Sequence, residues 1–398
     1  MTLSNGTATL NVELAEQLIR RMTDGLVNIV DTTGEFLLHL EDGSIIDTKG
    51  WGGWEWTHGV GMSDQRLEHK TDAKGFLYNG NQLLRVYATA HFIYPAKHAA
   101  VAPSKEAAAY SIKTLKNWYN ARYEETKGKG APKNINTMAV MYALACMVED
   151  GSFETEEEKQ KWTGWLDEWA EWVMHGLNRE WLPDPEARNR SIQGITSVVI
   201  AKYQFLMHIN YLMDTTTGLW FHGWQFDGKG GGHNYAEALL TQLPPTDPIY
   251  RTLVSTLRRQ VDALVNLQDE KTGLWHTLLT DPSSYVETSA AAGFSAGIFM
   301  ALRLVSFVNH LSLYKVAEHC IRQQGYLSGE QYLTVASTAL QGVIAQIRPD
   351  GEVENVSFGT AMGSDLDFYR NIAITPMPYG QALAMLALVE WERHQKAM

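Results

Sequence analysis

Apolar residues recur along this chain at the three- and four-residue steps of an α-helix almost from end to end. Leu10, Leu14, Leu18, Met22, Leu26 and Val30 fall on one helix face, and so do Tyr250, Leu253, Val254, Leu257, Val261, Leu264 and Val265. Each set predicts a helix with a single buried stripe. The same periodicity predicts helices over residues 103–122, 136–149, 194–213, 290–308, 331–347 and 378–394. Trp162, Trp165, Trp169 and Trp172 step by three, four and three, which puts four indoles on one helix face. So much apolar bulk on one face is expected to pack into the core and not to serve as a ligand platform.

Between the predicted helices a short motif returns: Asp31-Thr-Thr-Gly-Glu-Phe36, Asp214-Thr-Thr-Thr-Gly-Leu-Trp220, Asp269-Glu-Lys-Thr-Gly-Leu-Trp275 and, more faintly, Asp350-Gly-Glu352. Asp and Thr start a turn, Gly supplies a positive φ, and the apolar residue that follows anchors a short extended segment. Helical hairpins joined by recurrent tight turns, with no low-complexity linker, predict one closed array of about a dozen helices. Residues 10–395 are expected to form that single domain.

Composition adds a hint about ligands. Thirteen Trp, 17 Tyr and 12 Phe exceed the needs of an ordinary core, and surplus aromatic faces often line clefts that bind sugar rings. The formal charge of −12, with no basic stripe, argues against nucleic-acid binding, which needs Lys and Arg on the phosphates. Cys146 and Cys320 sit in apolar helical contexts and read as core residues, with no disulfide framework. Met1 to Leu10 lacks the basic start and apolar run of a secretory signal, and no stretch is long and apolar enough for a membrane span. The expectation is a cytoplasmic protein that binds no membrane.

Two motifs suggest chemistry they do not carry. Gly293-Phe-Ser295-Ala-Gly297 matches the nucleophile elbow of α/β-hydrolases, but that turn needs a strand before it, and the flanking residues predict one continuous small-residue helix. The glycine-rich Gly228-Lys-Gly-Gly-Gly-His233 lacks the Lys-Ser/Thr end of a phosphate loop. His222 and His233 bracket it without a third ligand in metal-site spacing, so no metal is expected. Polar and aromatic groups instead collect at segment ends: Trp51, Trp54, Trp56 and His58; Phe221, His222 and Trp224; Trp275 and His276; Asp281, Tyr285 and Glu287; Asp365, Asp367, Tyr369 and Arg370. Rings beside hydrogen-bonding groups in loops are the usual lining of a carbohydrate site.

Longer motifs carry a family resemblance. Trp54-Glu-Trp-Thr-His-Gly59, Lys133-Asn-Ile-Asn-Thr-Met138, Thr217-Gly-Leu-Trp-Phe-His-Gly-Trp224 and His233-Asn-Tyr-Ala-Glu-Ala238 are four of them. The segment Leu274 to Ser289, Asn355-Val-Ser-Phe-Gly-Thr360, Asp365-Leu-Asp-Phe-Tyr-Arg-Asn371 and Met377-Pro-Tyr-Gly-Gln381 follow in order. From about residue 10 to 393 the chain resembles the unsaturated rhamnogalacturonyl hydrolases and their unsaturated glucuronyl relatives, glycoside hydrolase families 105 and 88. The resemblance implies an all-α, single (α/α)6 toroid of six helical hairpins, with the pocket formed by interhelical loops at one end. It implies a short pectin-derived oligosaccharide as substrate, no cofactor, and a monomer or weak homo-oligomer. Such enzymes hydrate the C4–C5 double bond that a lyase leaves on a terminal uronic acid, with one Asp acting as acid and then as base. The residues expected to bind substrate are His58, Asn136, His222, Trp224, Glu237, Trp275, His276 and Tyr285.

The chain departs from the family pattern at two places. A Trp-Asp-Asp-Thr-Leu-like motif normally carries the catalytic Asp, but here the region from Trp181 to Val199 opens its helix on Gln193, Gly194 and Ile195 without an acid. Asp184 and Glu186 are the candidate replacements. After Glu237 the family's Trp-Gly-Arg-Gly-Asn segment is missing, and Ala238-Leu-Leu runs directly into Thr241-Gln-Leu-Pro-Pro245. Two functions follow as alternatives: an unsaturated-uronide hydrolase with a displaced acid, or a catalytically silent homologue that binds carbohydrate or acts as a scaffold.

Overall fold

The computed structural model describes residues 10–34, 36–39, 45–47, 49–51, 105–131, 141, 144–145, 147–148, 152–176, 206, 209–210, 212–220, 248–310, 327, 329–358 and 365–397. Their principal helices are α1 (Val12–Asn28), α2 (Lys105–Glu125), α3 (Glu156–Gly176), α4 (Pro248–Val265), α5 (Thr288–His310), α6 (Glu330–Ala345), α7 (Leu366–Arg370) and α8 (Pro378–Ala397). Two antiparallel ladders lie between helices: β1 (Leu37–His39) with β2 (Ile45–Asp47), and β3 (Trp275–His276) with β4 (Val286–Glu287). The periodicity had not marked these strands, which are too short to show an alternation.

Helix α1 starts where the sequence caps it. The Asn11 side chain accepts from the Leu14 backbone N–H at 2.8 Å, which meets one of the unpaired donors of the first turn. Leu18, Met22 and Leu26 are buried as the stripe predicts. Val30 is not: the helix ends at Asn28, the backbone turns extended at Ile29, and Ile29 enters the core while Val30 stands 55% exposed. On α3, Trp162 and Trp165 are buried and pack on the rings of Tyr119 and Tyr123 from α2. These two indoles are core residues, as expected.

Helix α5 runs unbroken through Gly293-Phe-Ser295-Ala-Gly297, so no nucleophile elbow exists there. Ser295 is buried, and its hydroxyl donates to the Ala336 carbonyl at 2.8 Å, which fastens α5 to α6. Every residue of α8 from Pro378 to Glu392 is buried. A helix covered on all faces belongs inside an array, and α8 packs against α5, α1 and α6.

The repeated turns have a second role in the fold. Asp214 accepts from Thr216 N at 2.8 Å and Thr217 Oγ1 at 2.7 Å, and Asp269 accepts from Thr272 N at 2.8 Å and Thr272 Oγ1 at 2.6 Å. The following glycines take φ of +79° and +74°. Each then lies against the backbone of another helix: a β-carbon on Gly218 would fall 2.5 Å from the Arg259 carbonyl oxygen of α4, and one on Gly273 2.6 Å from the Thr338 carbonyl oxygen of α6. The faint copy does the same, with Gly351 against Arg21 of α1. The last turn of the series therefore leans on the first helix, which brings the two ends of the described array together.

Candidate functional site

The site elements are two loops and a short helix that meet beside the start of α5. The Asp269 turn leads directly into β3, and the first residue there is Trp275. Its ring is buried to 1% exposure, its Nε1–H donates to the Leu264 carbonyl at 2.9 Å, and it packs edge-to-face with the Phe294 ring at a centroid separation of 5.3 Å. This corrects the expectation that Trp275 lines a sugar pocket: with its ring buried and its N–H bonded inside, it anchors β3 to the core. The alternation of a strand then turns the next side chain the other way.

That next residue is His276. Its Nδ1 lies 2.6 Å from the Ser284 carbonyl oxygen, and because a carbonyl only accepts, Nδ1 carries the proton. The other nitrogen, Nε2, faces Asp269 Oδ1 at 3.9 Å. Across the hairpin, Thr277 N donates to the Tyr285 carbonyl at 2.8 Å. The Tyr285 hydroxyl reaches Ser357 Oγ at 2.9 Å. Tyr285 and His276 thus stand on one hairpin, and Ser357 joins it from a second loop.

Glu287 ties the two loops to α5. It is the residue before the helix, and its carboxylate accepts from Ser289 Oγ at 2.8 Å, Ala290 N at 2.5 Å and Ser357 N at 3.0 Å. Burial pushes its carboxyl up, against the pull of these hydrogen bonds. A carboxylate at a helix N-terminus also meets the positive end of the helix dipole. Thr288 N donates to the Asn355 carbonyl at 2.9 Å, and Asn355, at φ +54°, donates its side-chain N–H to Gln346 Oε1 at 2.7 Å.

A third element is pinned by an ion pair. Nε and Nη2 of Arg370 both lie 2.7 Å from Asp281 Oδ2, and Nη1 lies 2.6 Å from Asp367 Oδ1. The Ser283 hydroxyl first, and Arg370 next, hold the Asp281 carboxyl down to about 2. Helix α7, capped by Asp365 through Phe368 N at 2.9 Å, buries none of its five residues. The Arg370–Asp281 pair therefore does what core packing does for the longer helices.

Of the residues expected to bind substrate, the structure brings His276 and Tyr285 together and sends Trp275 inward. His58, Asn136, His222, Trp224 and Glu237 lie outside the described residues, as do the candidate acids Asp184 and Glu186. Ser357 and Asn355 were missed as candidates, although their motif was visible. A non-glycine at positive φ beside a buried Ser has no sequence signal beyond the Asn itself. The described carboxylates of this cluster, Asp269, Asp281, Glu287, Asp365 and Asp367, are each held by donors. What the arrangement offers is hydroxyls, an imidazole and a guanidinium, suited to hydrogen bonding with a polyhydroxylated ligand. Among the described residues no group of three or more His, Cys, Asp or Glu could hold a metal ion, and no helix is long and apolar enough to cross a membrane.

The glycosyl hydrolase family 88 model matches residues 197–319 and 313–395, together half of the chain. The unsaturated rhamnogalacturonyl hydrolase YesR of Bacillus subtilis is 29% identical over 210 residues, 49% of this chain and 52% of the relative. The alignment thus spans about half the length of that curated relative. Two crystal structures, each described as a possible member of the GH105 family, match nearly end to end. The one from Salmonella enterica serovar Paratyphi A is 34% identical, covers 98% of this chain and 96% of its own, and superposes with a TM-score of 0.69. The one from Klebsiella pneumoniae is 34% identical, covers 97% and 95%, and superposes at 0.68. The fold is accordingly the mostly helical toroid of these proteins, with two short ladders between helices.

Proposed function

This chain belongs to glycosyl hydrolase family 88, and we propose that it acts on the terminal unsaturated uronic acid of rhamnogalacturonan-derived oligosaccharides. Hydration would add a proton at C4 and a hydroxyl at C5. The hemiketal so formed opens, and the glycosidic bond is then lost. The observation that carries this reading is the similarity to an enzyme named for that sugar, supported by the single hairpin on which His276 and Tyr285 both stand. The acid falls to Asp184 or Glu186, and the substrate contacts to His58, Asn136, His222, Trp224, His276 and Tyr285, with Glu237 nearby. Residues 10–395 act as one domain, without a cofactor, in the cytoplasm, as a monomer or weak homo-oligomer.

A second reading has its own observation. Asp269, Asp281 and Glu287 are all committed to structural hydrogen bonds, and the family's Asp motif is absent from the sequence. A silent homologue that binds the sugar without hydrating it fits both facts. Incubation with unsaturated rhamnogalacturonan and glucuronyl disaccharides separates the readings. Product from the first substrate supports the hydrolase. Saturable binding without product, in folded protein, supports the silent homologue.

A further inference from the structure

One short segment, Asn355–Ser357, touches the beginnings of both α5 and α8. Thr288 N donates to the Asn355 carbonyl at 2.9 Å, and Ser357 N donates to Glu287 Oε1 at 3.0 Å. On the other side, a β-carbon on Gly380 would fall 2.5 Å from Val356 Cγ2. The residue after Gly380 is Gln381. Its side chain is entirely buried, yet among the described residues neither Nε2 nor Oε1 has a partner, and the buried hydroxyl of Thr288 has none either.

Leaving a buried polar group unmet costs the full desolvation of that group, and most such groups in native proteins are paired. The polar groups of the segments that meet here are already used. Glu287 holds three donors, the Ser357 hydroxyl meets Tyr285, and the Gln381 backbone N–H points to the Met377 carbonyl. The neighbours Met377, Tyr379 and Ala382 are buried core residues.

We propose that Gln381, with Thr288, forms a buried polar site beneath the loop cluster that takes a neutral hydroxyl oxygen. A carboxamide presents a donor and an acceptor side by side. An anion would leave Oε1 unmet and a cation would leave Nε2 unmet, whereas one hydroxyl oxygen both donates and accepts. Its source is an ordered water or a hydroxyl of a bound sugar. The site does not depend on the hydrolase reading, because Gln381 needs a partner whether or not the chain turns over substrate.

The test is crystallographic, on the full chain and on Gln381→Met, which keeps the length and burial of the side chain. Crystals are examined unsoaked and soaked with the unsaturated rhamnogalacturonan disaccharide. The expected result is an oxygen within about 3.2 Å of both amide atoms in the natural chain, lost in the variant. A water kept in both crystals identifies the source as solvent, and its replacement by a sugar oxygen identifies the ligand. An amide bonded directly to protein groups, or one with no oxygen density beside it, overturns the proposal.

Discussion

Gly351 lies against Arg21 so closely that a β-carbon at position 351 would stand 1.9 Å from the Arg21 carbonyl oxygen. The contact joins the turn after α6 to α1, and the facing residue is again a glycine: a β-carbon on Gly25 would fall 2.6 Å from the Gly351 carbonyl carbon. Both sides are backbone, so neither can yield by rotating a side chain. Gly351→Ala is expected to destabilise by more than about 3 kcal/mol, because the strain of φ +90° adds to the overlap. Gly34→Ala is the control: its φ is +78°, but none of the described residues lies within 4 Å of the added carbon. The loss there is expected to be about 1–2 kcal/mol, and denaturant unfolding of the two variants measures the difference.

Trp275 and His276 are neighbours with opposite consequences. Trp275→Phe removes the hydrogen bond to the Leu264 carbonyl and is expected to lower stability by about 1–2 kcal/mol while leaving sugar affinity alone. His276→Ala is expected to weaken binding of the unsaturated disaccharide about tenfold, the worth of one good hydrogen bond. Calorimetric titration and thermal unfolding of both variants separate the roles.

Acid should release the hairpin from α7. The Asp281 carboxyl titrates at about 2 in the folded chain against an ordinary 3.8, so its folded form holds the proton less tightly. Its contribution is fully present above 3.8 and is lost as pH falls through about 2. Glu287 has the opposite sign: its carboxyl is raised by burial, so protonation favours the folded form as pH falls from above its folded value toward the ordinary one. Asp281→Asn is expected to flatten the loss of stability between about pH 4 and 2, as read by unfolding midpoints across that range. An unchanged profile would show that Arg370 is not held through this pair.

The segment around Tyr235 to Leu240 precedes the place where the family's Trp-Gly-Arg-Gly-Asn residues are missing. An apolar stripe that loses its cover promotes association. Soluble yield is expected to rise when those five residues are inserted after Glu237. Equal yields would show that the missing residues do not limit solubility.

Long stripes were legible in the sequence because a 3.6-residue repeat survives any detail of packing. That is why α1, α4, α5, α6 and α8 begin and end near their expected positions. Val30 failed because it extended the repeat past the point where Ile29 leaves the helix. The Asp-Thr-Gly turns were legible as turns, but their docking on α4, α6 and α1 was not, since nothing in a turn motif names its distant partner. Trp275 failed for a related reason: a Trp after a glycine turn reads alike whether its ring faces solvent or core. His276 and Tyr285 are legible as members of two neighbouring polar clusters, whereas Ser357 joins Tyr285 from 72 residues away, a separation that local pattern does not reveal.

The most direct test of the proposed activity follows the ultraviolet absorbance of the C4–C5 double bond in a lyase-generated rhamnogalacturonan disaccharide. The natural chain, Asp184→Asn and Glu186→Gln are each to be assayed as folded protein. The account predicts loss of absorbance with the natural chain and its abolition in one of the two variants, because a single carboxylate must both protonate C4 and activate water. Unchanged absorbance with folded natural protein would contradict the hydrolase reading and leave sugar binding as the function of the retained loops.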